Sequence, residues 1–221
     1  LSNKVLNKKQ QELKALLEEF SSTHFLCGWT AIALYLWHRE SIDFDFVNDK
    51  TQWTFINYLQ RIKKNNFDLL REEVENYNWI QYENQDEFHF TINQVNFSTF
   101  NFFRTLYDDQ KILIRWEDYI LWWLRIASKQ ELLSMKIYAT MTRNKWKDIV
   151  DLYFLLDDLN LSLKEAFELS ETYFINLINK PSILEQLISK NWDKTEKVNY
   201  LLVNPPKDQE IEIFFKEEAI K

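Results

Sequence analysis

The chain has 221 residues, 46% of them hydrophobic and 16% aromatic, enough to bury a substantial core as one large domain or two small ones and too apolar for a disordered protein. Its net charge of −7 argues against broad adhesion to nucleic acid or to anionic membranes, so a polyanionic partner would have to be met by a local basic patch. A single cysteine, Cys27, rules out an internal disulfide framework, His24, His38 and His89 lack zinc-site spacing, and the cytoplasm is the expected location.

In chain order, Leu13, Leu16, Leu17 and Phe20 recur at three- and four-residue steps and predict an amphipathic helix from about residue 4 to 20. A nearly all-apolar stretch predicts a buried helix over about 29–38, leading into a short strand at Ile42 to Phe46. Trp53, Ile56, Leu59 and Ile62 predict a helix over 51–66. Phe88, Phe90 and Ile92, then Asn93-Gln94, then Val95, Phe97 and Thr99 read as a hairpin, which makes the first half α+β.

From Ser128 onward the pattern is helical, with Ser128 and Glu131 forming a capping-box signature. Further helices are predicted at 146–158, 162–178 and 181–190, with Pro181 in a first turn and Pro205-Pro206 marking a break before an acidic tail. The apolar runs Ala31 to Trp37 and Tyr119 to Ile126 are far shorter than the roughly 20 residues that cross a bilayer, so no membrane association is expected. A domain boundary is placed near residue 125, dividing the chain into 1–125 and 126–221.

The chemically informative residues begin at Gly28, the sole glycine, which marks a tight turn or a close backbone approach such as that of a phosphate. In an extended segment Asp43 and Asp45 share one face while Ile42, Phe44 and Phe46 bury the other. Two adjacent carboxylates repel unless a cation lies between them; the alternative is an edge strand with two solvated acids. In the helical region Lys136 sits beside the apolar stripe of Leu132, Met135 and Ala139, where a lysine either snorkels to water or meets an anion. Asp148 and Asp151 share a helix face behind the basic run Arg143 to Lys147, the bland reading being a solvated acidic face with a Lys147–Asp151 pair.

These residues resemble the AbiEii/AbiGii-type nucleotidyltransferases, toxins of bacterial toxin–antitoxin and phage-abortive systems. The first block is Gly28-Trp29-Thr30-Ala31-Ile32-Ala33-Leu34, His38-Arg39, Ser41 and Asp43-Phe44-Asp45-Phe46. The second is Leu132-Leu133-Ser134-Met135-Lys136-Ile137-Tyr138-Ala139, the basic run, and Asp148-Ile149-Val150-Asp151-Leu152-Tyr153.

The resemblance implies a polymerase-β-like core, a small mixed sheet flanked by helices, followed by a helical bundle that contributes Lys136 and Asp148 to the site. It implies Mg2+ or Mn2+ on Asp43 and Asp45, and a nucleoside triphosphate held by Gly28, Thr30, Arg39, Ser41 and Lys136. Asp148 would take the remaining acidic role, with Asp151 the second choice, and a cognate antitoxin is implied as partner. Many nucleotidyltransferases carry a third carboxylate where this chain has Asn96. An RNA end such as that of a tRNA is the expected acceptor, docked on Arg143, Lys145 and Lys147. Two other readings stand beside this one. Asp43-Phe44-Asp45-Phe46-Val47 fits the Asp-x-Asp-x-Val opening of haloacid-dehalogenase-like phosphatases, and a catalytically silent nucleotide-binding or interaction protein could use the same scaffold.

Overall fold

A computed structural model of the chain describes residues 2–21, 24–48, 80–83, 87–100, 119–121, 124–174, 176–189 and 192–220. They fall into two units, one drawn from the described residues of 2–30, 41–100 and 119–127, the other from those of 31–40 and 128–220.

The first unit opens with three short helices, α1 (Ser2–Val5), α2 (Lys8–Glu12) and α3 (Lys14–Phe20), where the periodicity predicts one. The break is local chemistry. The Asn7 side chain accepts from the Gln10 N–H while the Gln10 side chain accepts from the Asn7 N–H, a capping box that starts a new helix, and Leu13 leaves helical geometry before α3. The stripe of Leu13, Leu16, Leu17 and Phe20 is nonetheless buried throughout.

Next come β1 (His24–Cys27), α4 (Gly28–Leu36), β2 (Asp43–Asn48), β3 (Ile80–Glu83), β4 (Glu87–Ile92), β5 (Val95–Phe100), β6 (Tyr119–Leu121) and β7 (Leu124–Ile126). The seven strands among the described residues form one sheet, ordered β3-β4-β5-β2-β1-β7-β6. β2 runs parallel to β5 and β1 parallel to β7; the other neighbours are antiparallel. This is the mixed sheet of the expected α+β class, and it removes the phosphatase reading, which needs a parallel doubly wound sheet.

The predicted hairpin is β4–β5, with Ile92 opposite Val95 and the turn residues Asn93 and Gln94 at φ 50° and 62°. Positive φ at both central positions is the twist-compatible turn that such hairpins select. β1 escaped the sequence reading because all four of its residues are buried, so it shows no alternation. Ile42 corrects another expectation: it lies one residue before β2 and is 59% exposed, whereas Phe44 and Phe46 are buried as expected. The helix expected over 51–66 lies outside the described residues.

Aromatic packing holds the apolar face of this sheet. The Phe20 ring stacks on Phe46 at 5.1 Å and on Phe97 at 5.9 Å, and Phe44 meets Phe97 at 5.3 Å. Each such pair contributes about 0.5–1.5 kcal/mol beyond area burial.

The second unit carries α5 (Lys129–Thr142), α6 (Trp146–Leu159), α7 (Leu163–Tyr173), α8 (Lys180–Ser189) and α9 (Asp208–Ile220). Ser128 and Glu131 form the predicted capping box on α5, Ser162 and Glu165 repeat it on α7, and Pro181 sits in the first turn of α8. α7 ends before the expected residue 178 because Phe174 leaves helical geometry and turns into the core. The acidic tail expected after Pro206 is instead helix α9, anchored by Ile211 and Phe215, buried four residues apart.

Burial of His24 among Phe20 and Phe46 pushes its imidazole down to about 3. An unfolded histidine binds a proton below its ordinary value of 6.5, while this one stays neutral in the fold. The unfolded state therefore holds more protons between those limits, and stability falls as pH drops through the window. Urea denaturation between pH 7.5 and 4 should show His24 contributing a loss of up to about 1.4 kcal/mol per pH unit below 6.5, and His24→Gln should show a correspondingly shallower dependence.

Candidate active site

β1 and β2 pair with Cys27 opposite Asp45, so the next residue, Gly28, lies against the Asp45 side chain. Gly28 has φ +63°, and a Cβ built on it would meet Asp45 Oδ2 at 2.2 Å, Cγ at 2.8 Å and Cβ at 2.9 Å. Glycine is thus required twice over, for a backbone conformation that L side chains avoid and for the space that the carboxylate fills. The same residue begins α4, whose amino end favours negative charge.

The Thr30 hydroxyl donates to the Asp43 carbonyl oxygen and lies 2.5 Å from the Ser41 hydroxyl, which therefore donates to it; the Ser41 N–H reaches the Val5 carbonyl. Thr30 and Ser41 are buried, and this hydroxyl relay ties the start of α4 to the start of β2.

Asp43 and Asp45 are half-buried on β2 and face away from Phe44 and Phe46. Their rows continue across the sheet. Asp43 is in register with Asn96 and Asn96 with Thr91, while Asp45 is in register with Ser98 and Ser98 with His89. Thr91 donates to Asn96 Oδ1 at 3.1 Å, and His89 Nδ1 lies 3.1 Å from Ser98 Oγ. Thr91, Ser98 and His89 were not singled out in the sequence. Their signal was present in the hairpin alternation, which puts Ser98 on the face opposite Phe97 and its cross-strand partner His89 beside it.

No group of three His, Cys, Asp or Glu side chains that could hold a metal occurs among the described residues. Two half-buried carboxylates on one strand face, one of them packed where a Cβ at residue 28 would clash, nevertheless fit a hard divalent cation that takes its remaining ligands from water and phosphate oxygens, as Mg2+ commonly does.

The second unit gathers the other sequence-selected residues. Lys136 is buried, its Nζ 2.6 Å from Asp148 Oδ1 and 3.0 Å from Asp151 Oδ2, so it meets anions instead of snorkelling. Arg39 donates through Nε to Asp151 Oδ1 at 2.8 Å and through Nη2 to Oδ2 at 2.9 Å. His38 Nε2 donates to Asp151 Oδ1 at 2.8 Å. Arg143 donates through Nε to Asp148 Oδ2 at 2.7 Å and through Nη2 to Oδ1 at 3.0 Å. The bland alternative of a solvated acidic face does not hold: Asp148 and Asp151 are each 0% exposed.

Burial acts to raise Asp151, but the Arg39 and Lys136 charges outweigh it and hold the carboxyl well below the ordinary range. Asp148 is lowered in the same sense, with Lys136 and Arg143 overcoming its burial. His38 is lowered by burial, which exceeds the pull of Asp151, so the ring is neutral.

The basic run is engaged as well. Lys145 pairs with Asp193 at 2.5 Å, and Lys147 pairs with Glu196 at 2.7 Å instead of with Asp151. Among the described residues no helix is long and apolar enough to cross a membrane.

The family model described as "Nucleotidyl transferase AbiEii toxin, Type IV TA system" matches residues 13–200. Two solved structures share the fold. One is a candidate nucleotidyltransferase from H. pylori, at TM-score 0.53 and 19% identity over 100% of this chain and 95% of that one. The other is JHP933 from Helicobacter pylori, at TM-score 0.54 and 18% identity over 98% and 92%. No curated protein matches the sequence.

Two substitutions check this geometry. Gly28→Ala should lower stability by roughly 1–3 kcal/mol, read as a fall in urea midpoint, because the positive φ and the Asp45 contact are both violated. Asp151→Asn should cost about 3–5 kcal/mol, because it leaves buried Arg39 and Lys136 without their shared carboxylate; adding Arg39→Met should recover part of that loss.

Proposed function

The chain belongs to the AbiEii family of toxin–antitoxin nucleotidyltransferases, and from that premise we propose that Gly28, Asp43 and Asp45 form the site at which a nucleotide leaves its triphosphate for an acceptor. The observation that carries this reading is the fit of Asp45 against Gly28. A close-approach glycine at a helix amino end beside paired carboxylates is an arrangement suited to a triphosphate and its counter-ion.

Mg2+ or Mn2+ on Asp43 and Asp45 would supply charge neutralisation at the phosphates. The chain's own residues do the rest. The backbone at Gly28 admits the phosphates, and the Thr30–Ser41 relay fixes α4 against β2 so that both aspartates keep their direction. To Lys136 we assign the offsetting of phosphate charge, with Asp148 and Asp151 holding its ammonium in place, and Arg39 acting through Asp151.

The acceptor we propose is an RNA end. Arg143 keeps half of its side chain exposed, whereas docking on Lys145 and Lys147 would exchange their pairs with Asp193 and Glu196 for phosphate contacts. Family membership also implies an antitoxin partner. One observation favours a silent scaffold as a second reading: the residue in register with Asp43 on β5 is the amide Asn96, which carries no charge to activate a hydroxyl.

Magnesium with a nucleoside triphosphate at about 100 times its dissociation constant should stabilise the fold by about 2.7 kcal/mol, a rise of roughly 5–10 °C in melting temperature. Asp43→Asn with Asp45→Asn should abolish the rise while the ligand-free protein still melts cooperatively. An unchanged response in that double variant removes the site from this place. Binding without release of pyrophosphate in the native chain selects the silent scaffold.

A further inference from the structure

The polar face of the sheet holds a pair of side chains that the proposed nucleotide transfer leaves unused. Ser98 Oγ and His89 Nδ1 lie 3.1 Å apart, and Ser98 is in register with Asp45 on the neighbouring strand. A hydroxyl within hydrogen-bond reach of an imidazole is the arrangement that activates serine as a nucleophile. Adjacent strands are about 4.8 Å apart, so a phosphate held at Asp45 lies over the same face, one strand away from Ser98. Both residues are partly exposed on that face, unlike Thr99 and Phe97 beside them, which are buried.

Resting on the reading above, we propose that Ser98 is an acceptor within the chain itself, so that the protein nucleotidylates its own β5 strand with His89 as the base. The step balances. Ser98 Oγ forms a bond to the α-phosphorus, its proton passes to His89, and the bond from the α-phosphorus to its bridging oxygen breaks with the electron pair leaving on pyrophosphate. The product is a phosphodiester on Ser98, one row from Asp45. That nucleoside monophosphate would occupy the face that the next triphosphate needs, so modification would also restrain the enzyme.

The test incubates the full chain with magnesium and each nucleoside triphosphate labelled at the α-phosphate, without RNA. Intact-mass measurement and peptide mapping should find one nucleoside monophosphate on the β5 peptide at Ser98. Ser98→Ala should lose the label yet keep the magnesium–triphosphate rise in melting temperature, and His89→Gln should slow labelling at least tenfold with the same rise retained. An unlabelled native chain that still shows the rise overturns self-modification and leaves the nucleotide site standing. Loss of both label and rise overturns the two together. Label mapping to another residue, or persisting in Ser98→Ala at the native level, also refutes the assignment; mapping on the native chain decides the matter should Ser98→Ala fail to fold.

Discussion

The contact between Gly28 and the Asp45 carboxylate is the constraint on which the rest of the proposed site depends. Pairing of Cys27 with Asp45 brings the end of β1 and the middle of β2 to the same level, and the chain must then turn into α4 with no atom standing where Asp45 already is. Only a residue without a Cβ satisfies both the turn and the contact. A chain with one glycine has placed it at the position where sheet register, helix start and carboxylate coincide.

Phe20, Phe44, Phe46 and Phe97 make the other side of the sheet rigid enough for that register to matter. Strand side chains alternate, so each phenylalanine seated in the core points its neighbour to the opposite face, and Asp43, Asp45, Asn96 and Ser98 come together without any long-range contact of their own. A one-residue slip of a strand would turn its aspartates or amides inward and its rings outward, which the burial energy of Phe44, Phe46 and Phe97 against Phe20 opposes.

The second unit applies a different device. Asp148 and Asp151 lose nearly all hydration, a cost of several kcal/mol per ion, and what offsets it is geometry: paired guanidinium contacts from Arg39 and Arg143 with Lys136 between the two carboxylates. Networks of this type add less net stability than their contacts imply, but they punish any displacement of a member. Lys136 is accordingly held at one point between Asp148 and Asp151.

The sequence by itself determined much of this protein, wherever the signal is carried by near neighbours. Capping at Ser128, the alternation of the β4–β5 hairpin, the shared face of Asp43 and Asp45 and the two motif blocks all depend on residues a few positions apart, and local backbone geometry translates such spacings directly. It also announced a special position at Gly28. It did not show β1, whose four residues are all buried and carry no period, nor the interruption at Asn7, nor α9 in what reads as an acidic tail. Tertiary structure alone decided that Asp151 is met by His38 and Arg39 from 113 and 112 residues away, that Lys147 pairs with Glu196, and that Ser98 stands beside Asp45. The reason is physical: an ion pair or a strand register between distant segments depends on which surfaces the folded chain buries together, and no local spacing encodes that choice.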